Sequence, residues 1–384
     1  MIKALHLASF DGNIGDIANH KGFWRLFQKY VNSDVEVTNL EIREFYNSWG
    51  FRTFNDDFID LVNTYDFLVI GGGNFFDIKW DYSETGTTLN IPPKILERIN
   101  IPVIFNGLGV DYNANSCSDH VKDRFCVFFE YMLQNQDRYL VSVRNDDSLL
   151  LLKAIMDDSI SEKVVQIPDG GFFTSAREYD HPEISANKTV IAVNVANDRL
   201  SDRFGCSDNY ERYCVEFGQF INECVNMNSS FQFVFIPHIP TDTKAIIDIM
   251  QNTPDYICRR NITIAPYLNG CRTPGDYAVD LYRKADLAIG MRYHSNICAI
   301  AMGTPTVGIV TLDKHRELYN NIGMQDRLFD VTSVPFSERL CDRVGYCLEN
   351  RNKMKEENIS LVRRLEKESI EYYKRIEQLI NHLL

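Results

Sequence analysis

The residues best able to do chemistry lie in one segment, Ala285-Asp-Leu-Ala-Ile-Gly290-Met-Arg292-Tyr293-His294-Ser295-Asn296. An apolar strand pattern ends at Gly290. A helix then starts at Ser295 or a neighbour and runs through Ala299 and Ala301 to Gly303. Arg292 and His294 therefore stand beside a helix N-terminus, where unpaired N–H groups and the helix dipole favour negative charge. A guanidinium, an imidazole and those N–H groups on one spot suit a small dianion, and imidazole moves protons at neutral pH. A purely structural role would need a buried acidic partner for both residues. Ligand binding is the better explanation.

Other segments share the same place, directly after a strand pattern. Phe10-Asp-Gly12-Asn13-Ile-Gly15-Asp16 brings a backbone close to a ligand at a helix start, but it lacks the GK[ST] ending of a P-loop and is not GxGxxG. It serves equally as a tight strand-to-helix turn capped by Asp16. Gly71-Gly72-Gly73-Asn74-Phe-Phe-Asp77 spends three glycines, which a plain turn does not require. Asp77 there is suited to a sugar hydroxyl, to a cation or to a helix cap. Asn106-Gly107-Leu-Gly109 and Pro168-Asp169-Gly170-Gly171 are similar loops. In Ser142-Val-Arg144-Asn-Asp146-Asp147, Arg144 can clamp a carboxylate or phosphate, or pair with Asp146 or Asp147. Phe235-Ile-Pro-His238 ends another strand, with Asp242 one turn later.

These loops need strands and helices to hold them. Apolar runs at Ile2–Ser9, Val35–Leu40, Phe67–Ile70, Val103–Asn106 and Tyr139–Val143 read as buried strands. Helical stretches such as Asn145–Met156 separate them. A second series follows at Thr189–Val195, Phe231–Ile236, Ile262–Ala265, Leu287–Gly290 and Thr306–Val310. Strand, loop and helix repeated in this way give parallel sheets with right-handed crossovers. The expected fold class is α/β, two Rossmann-like domains facing a cleft, with a long C-terminal helix from about Lys353 to Leu384. The polar stretch Ala176–Lys188 marks the boundary between a domain at 1–180 and one at 185–354, with 355–384 packing back on the first. Ligands of open parallel sheets bind at the carboxyl ends of the strands.

Composition narrows the partners. A net charge of -13 and scattered basic residues argue against nucleic acid and anionic membranes. None of the 10 cysteines forms a CxxC pair, so a zinc ribbon or thioredoxin-like motif is unsupported. The start, MIKALHLASFDGNIGD, does not read as a signal peptide, and no apolar run is long enough for a bilayer. A cytoplasmic location is expected, with loose membrane contact as a variant of it.

Taken in order, Asn13-Ile-Gly-Asp16, Gly71-Gly-Gly-Asn-Phe-Phe-Asp77, Gly107-Leu-Gly109, Ser142-Val-Arg144, Phe235-Ile-Pro-His238 and Arg292-Tyr-His-Ser295 resemble the polysaccharide pyruvyl transferase family. The resemblance implies a glycosyltransferase-B-like pair of domains, phosphoenolpyruvate as donor and co-substrate, and a sugar or lipid-linked glycan as acceptor. The product would be a pyruvate ketal. By that resemblance Asp77, Arg144, Arg292, Tyr293, His294 and Ser295 line the donor site, with Arg292 and His294 catalytic. No cofactor is implied, and magnesium through Asp16 or Asp77 stays open. Two departures stand out. Tyr293 replaces the usual leucine, and Pro168-Asp-Gly-Gly171 replaces a commoner Asp-Pro-Ala-Phe-like turn. The alternatives are a nucleotide-sugar glycosyltransferase of the same fold and a silent sugar-binding relative. An NAD-dependent oxidoreductase is disfavoured by the missing GxGxxG.

Overall fold

The computed structural model describes residues 2–113, 117–267 and 275–383, so Met1 and Leu384 of the expected domain ranges lie outside it. The chain divides into two compact units. The first holds the residues up to Asp11, Gly22–Gly170 and those from Leu365 onward. The second holds Gly12–Lys21 and Gly171–Arg364.

In the first unit the strands are β1 (Ile2–Ala8), β2 (Val35–Glu41), β3 (Phe67–Gly71), β4 (Phe76–Ile78), β5 (Val103–Leu108), β6 (Val110–Tyr112), β7 (Tyr139–Arg144) and β8 (Val165–Ile167). Six of them form a parallel sheet in the order β2-β1-β3-β5-β7-β8, and β4 pairs with β6 in a separate parallel pair. Every residue of β3 and β5 is buried, which is why both read as unbroken apolar runs rather than alternating ones. Val165–Ile167 and the two short strands that follow the glycine loops escaped the sequence reading, because three-residue strands carry too little pattern.

The second unit repeats the plan with β9 (Thr189–Asn194), β10 (Phe231–Phe235), β11 (Ile262–Ile264), β12 (Leu287–Gly290), β13 (Thr306–Val310) and β14 (Leu328–Asp330). Its sheet order is β11-β10-β9-β12-β13-β14, again all parallel. With two such units the carboxyl ends of β3, β5 and β7 carry one set of loops, and those of β9, β10, β12 and β13 carry another.

The boundaries differ from expectation in three ways. The chain passes between units at Gly170 and Gly171, before the polar stretch Ala176–Lys188. The first helix, Ile14–Tyr30, starts at Ile14 rather than near Ile17. Its cap is Asn13, whose Oδ1 accepts from Gly15 N at 3.0 Å, and Asp16 falls inside the first turn. Residues 12–21 group with the second unit because Ile14 and Ala18 find their apolar partners there, among Val190, Val234, Ala278 and Cys298. Ile14 N also donates to the His238 carbonyl at 3.2 Å, and Lys21 pairs with Asp276 at 2.7 Å.

The C-terminal helix, Arg351–Leu383, is packed rather than a free arm. Its residues to Arg364 belong to the second unit, where Asn358 donates to the Thr304 carbonyl at 2.7 Å. Its residues from Leu365 belong to the first, where Tyr373, Ile376 and Ile380 are buried. Tyr372 reaches the ends of β5 and β7: its hydroxyl donates to Asn106 Oδ1 at 3.0 Å and accepts from Ser142 Oγ at 3.0 Å. Among the described residues no helix is long and apolar enough to cross a membrane. Tyr372→Phe removes both bonds while keeping the ring, so urea unfolding should show a loss of about 1–3 kcal/mol.

Candidate functional site

In the second unit the turn after β12 is wound tightly enough to fix Arg292. Gly290 has no room for a side chain, since a Cβ there would collide with Ser295 Oγ and Asn296 Oδ1. Ser295 Oγ donates to the Arg292 carbonyl at 2.7 Å, and Asn296 Nδ2 donates to the carbonyls of Gly290 at 3.1 Å and Arg292 at 3.0 Å. Arg292 N donates to Asn194 Oδ1 at 3.0 Å. Ser295, expected in the donor site, is thus spent on the turn. The helix runs Tyr293–Ala301 with Arg292 as its N-cap residue, so Tyr293 and His294 occupy the first turn.

The Arg292 guanidinium meets two carboxylates. Nε donates to Asp242 Oδ2 at 2.8 Å, and Nη2 reaches Asp242 Oδ1 as well. Nη2 and Nη1 reach Asp198 Oδ1 and Oδ2 at 3.0 and 3.3 Å. Burial pulls the guanidinium pKa down, but Asp242 and Asp198 outweigh it and hold the group charged. Asp242 is wholly buried, and its Oδ2 also accepts from His238 N at 2.9 Å and Ile239 N at 3.3 Å. The buried acidic partner that a structural role demands is therefore present for Arg292. Asp242 was visible in the sequence as the residue one turn past His238, but nothing in the spacing tied it to Arg292.

His294 lies against the first loop. A Cβ on Gly15 would collide with the His294 ring, so the glycine is what lets the imidazole lie on the backbone of Asn13-Ile14-Gly15-Asp16. Tyr293 stacks edge-on against it, ring centres 5.4 Å apart. His238 is placed differently. Its ring is buried, Nε2 bonds the Tyr282 hydroxyl at 2.8 Å, and its carbonyl accepts from Ile14 N. Burial, then the charges of Arg292 and His294, press its pKa well below the usual value, so it stays neutral and braces the loop.

Three residues near Arg292 went unnoticed in the sequence. Asp198 and Arg203 carry no spacing signal that sets them apart, yet Arg203 is buried and donates to Thr311 Oγ1 at 2.9 Å. His315 is a buried ring in the helix Asp313–Ile322, kept neutral by burial and by Arg203.

The first unit gathers the other predicted residues. Gly72 and Gly107 adopt left-handed backbone, with φ of 74° and 54°. Gly72 N donates to the Asn106 carbonyl at 3.0 Å, and Gly109 N to the Gly73 carbonyl at 2.9 Å, so the two glycine loops are sewn together. A Cβ on Gly109 would strike Arg144 Nη2 and Asn74 Oδ1, which places those two side chains over it. Arg144 Nε donates to Asp146 Oδ2 at 2.9 Å, the pairing that competes with a ligand role, and Asp169 Oδ2 lies 3.9 Å from Nη1. Asp77 is neither a helix cap nor open to a ligand. It sits on β4, buried, accepting from Thr88 N at 2.8 Å, Thr88 Oγ1 at 2.9 Å and Trp80 Nε1 at 2.7 Å. Burial raises its pKa, with Lys79 at 3.5 Å opposing. Among the described residues no group of three or more His, Cys, Asp or Glu side chains is placed to hold a metal ion.

Two outcomes follow from this geometry. Gly15→Ala should cost about 1–3 kcal/mol by overpacking against His294, read as a shift in the urea midpoint. The neutral rings of His238 and His315 set a pH dependence. At a pH well above about 6.5 neither ring is charged in either state. As pH falls below that, the unfolded chain takes up protons that the folded state refuses, so stability drops by up to about 1.4 kcal/mol per pH unit for each ring. Unfolding curves between pH 7.5 and 5 should show the fall, and His238→Gln should make it shallower by the share of one ring.

Comparison with known proteins follows the same lines. The chain is similar in structure to a glycosyltransferase from Rickettsia africae (TM-score 0.54, 12% identity, 98% of each chain covered). It is also similar to Anabaena HepE, solved with UDP and glucose (TM-score 0.51, 12% identity, 96% of this chain and 95% of that one). A third is ADP-heptose LPS heptosyltransferase II of E. coli (TM-score 0.50, 10% identity, 91% of this chain and all of that one). At such identity these likenesses speak for the fold, which is that of the GT-B glycosyltransferases and epimerases. A search of curated proteins by sequence found no match. The family profile for polysaccharide pyruvyl transferase, however, matches residues 13–313, from the capping Asn13 to the start of the helix that holds His315, and the chain belongs to that family.

Proposed function

We propose that the chain transfers a pyruvyl group from phosphoenolpyruvate to a pair of hydroxyls on a glycan or its lipid-linked precursor, giving a cyclic ketal. The observation that carries this reading is Arg292 at the N-cap and His294 in the first turn of one helix, with Gly15 cut back so that the imidazole lies against the first loop. Family membership supports the transferase class, and the donor and the ketal are inferred from chemistry.

Phosphoenolpyruvate carries a carboxylate and a phosphate on three carbons. A helix N-terminus and a guanidinium answer one anionic group, and imidazole manages protons. The enol carbon takes a proton, which leaves an oxocarbenium-like centre at the carbon bearing phosphate. One acceptor hydroxyl attacks there, and phosphate departs. The second hydroxyl closes the ring. The two hydroxyl protons end on the new methyl group and on the departing phosphate, so the reaction balances without a redox partner. His294 is the group suited to move these protons or to hold the leaving phosphate. No separate cofactor is required by this balance, and a magnesium ion near Asp16 remains part of the proposal only as charge support for phosphate. The work is placed in the cytoplasm, where phosphoenolpyruvate is made.

The test is donor-dependent thermal stability followed by turnover with acceptor glycans. Phosphoenolpyruvate should raise the melting temperature of the protein by mass action, and nucleotide sugars should not. Arg292→Ala should lose that shift, but it also strands Asp242 in the core. His294→Ala leaves the ion pair intact and should cut turnover by about 100- to 10,000-fold. A shift with a nucleotide sugar in place of phosphoenolpyruvate would reassign the chain to glycosyl transfer. Near-normal turnover of His294→Ala would remove that residue from the chemistry.

A further inference from the structure

Arg292 carries two counter-charges of different standing. The Asp242 side chain is fully buried and pinned by backbone N–H groups, so it is permanent. The Asp198 side chain is 31% exposed, whereas that of Arg292 is 15% exposed. Of the two partners, Asp198 alone can leave toward water.

Asp198 also serves a second cation. Its Oδ1 lies 3.4 Å from Arg203 Nη2, and its backbone carbonyl accepts from Arg203 Nε at 2.9 Å. Arg203 is 4% exposed, and that long contact is its one ion pair among the described residues. Burial drags its pKa down to about 10, and Asp198 opposes that shift only in part. Asp198 itself is pushed up by burial and pulled below the usual range by Arg292 and then Arg203. A third group stands in the same field. His315 is buried, its ring feels the charges of Arg203 and Arg292, and its Nδ1 has no hydrogen-bond partner.

The backbone fits an exchangeable residue. Arg199, directly after Asp198, has φ of 53°, left-handed for a residue with a side chain. That conformation is costly and is held in place by the contacts around it.

We propose that the Asp198 carboxylate occupies an anion subsite between Arg292 and Arg203, and that a phosphoryl dianion binds by displacing it. One carboxylate charge is then exchanged for two, beside a pair of cations of which Asp242 bonds Arg292 and leaves Arg203 to share Asp198. The inference rests on the donor reading above for the identity of the phosphoryl compound, since the phosphate of phosphoenolpyruvate and that of a nucleoside diphosphate share this chemistry. It adds Arg203 to the groups that touch the ligand and makes Asp198 an internal competitor for it.

Calorimetry with inorganic phosphate, phosphoenolpyruvate and UDP on wild type and Asp198→Asn tests this. The amide keeps the size of the side chain and removes its charge. The variant should bind the favoured anion at least about 10-fold more tightly, because no competing charge must be expelled. Its affinity should then fall when Arg203→Lys is added, since the fork that spans two oxygens is lost. Equal or weaker binding by Asp198→Asn overturns the proposal, as does a failure of that variant to bind any of the three. If phosphoenolpyruvate binds wild type and Asp198→Asn equally, displacement fails while the donor reading stands. If Asp198→Asn tightens phosphate or UDP but never phosphoenolpyruvate, displacement stands and the donor reading fails.

Discussion

The second unit is organised around one buried carboxylate. Asp242 is out of water entirely, and a charge in that position is tolerable only if every lone pair is answered. Arg292 answers with two donors, and the N–H groups of His238 and Ile239 answer with two more. These donors come from two strand ends, and a third strand end holds Arg292 in turn. Arg292 follows β12, His238 follows β10, and Asn194 at the end of β9 holds Arg292 N. The cost of burying Asp242 is thus offset by ordering three strand ends at once, and that order is inherited by whatever the loops carry. His294 is two residues beyond Arg292, and Ile14 hangs on the carbonyl of His238, so the position of the imidazole against Gly15 follows from the same anchor.

The first unit solves the same problem with different pieces. Arg144 at the end of β7 pairs with Asp146, whose Oδ1 also accepts from Ser148 N at 2.9 Å, and Ser148 Oγ in turn accepts from Val110 N at 2.8 Å. Asp77 holds the chain near Thr88, and the glycines at 72, 107 and 109 let the loops approach. Both units therefore place an arginine at a strand end and give it an aspartate. The difference is one of sharing. Among the described residues Arg144 is matched by Asp146 with Asp169 beyond it, whereas Arg292 and Arg203 share Asp198 after Asp242 is spent.

Much of this was legible before any coordinates. Long buried strands announce themselves as apolar runs, and the Leu287–Gly290 and Thr306–Val310 strands were placed to the residue. The end-of-strand rule also points to Gly15 and His294, to Gly109 and Arg144, and to Arg292; the first two lie against each other, as do the second two, and Arg292 caps the helix that carries His294. What spacing could not carry was pairing. Asp77 looks like a ligand group in a glycine loop because the sequence does not reveal that Trp80 and Thr88 close over it. Arg203 carries no signal because the partner that holds it, Thr311, is more than a hundred positions away. Charged residues become interpretable only when their partners are known, since the same arginine is a brace beside one carboxylate and a receptor beside none.

The net charge of -13 sharpens that last point. A protein so acidic repels a dianion at long range, although salt at physiological strength confines that repulsion to about 8 Å. Recognition of an anion therefore has to be won at contact distance, by groups withdrawn from the surface field. Buried arginines meet this condition, because the low-dielectric surroundings strengthen their pull on a ligand that arrives. They also raise a difficulty, since unanswered buried cations would destabilise the empty protein. A carboxylate that is 31% exposed resolves both demands. It neutralises the cations while the site is empty, and it has somewhere to go when a stronger anion comes.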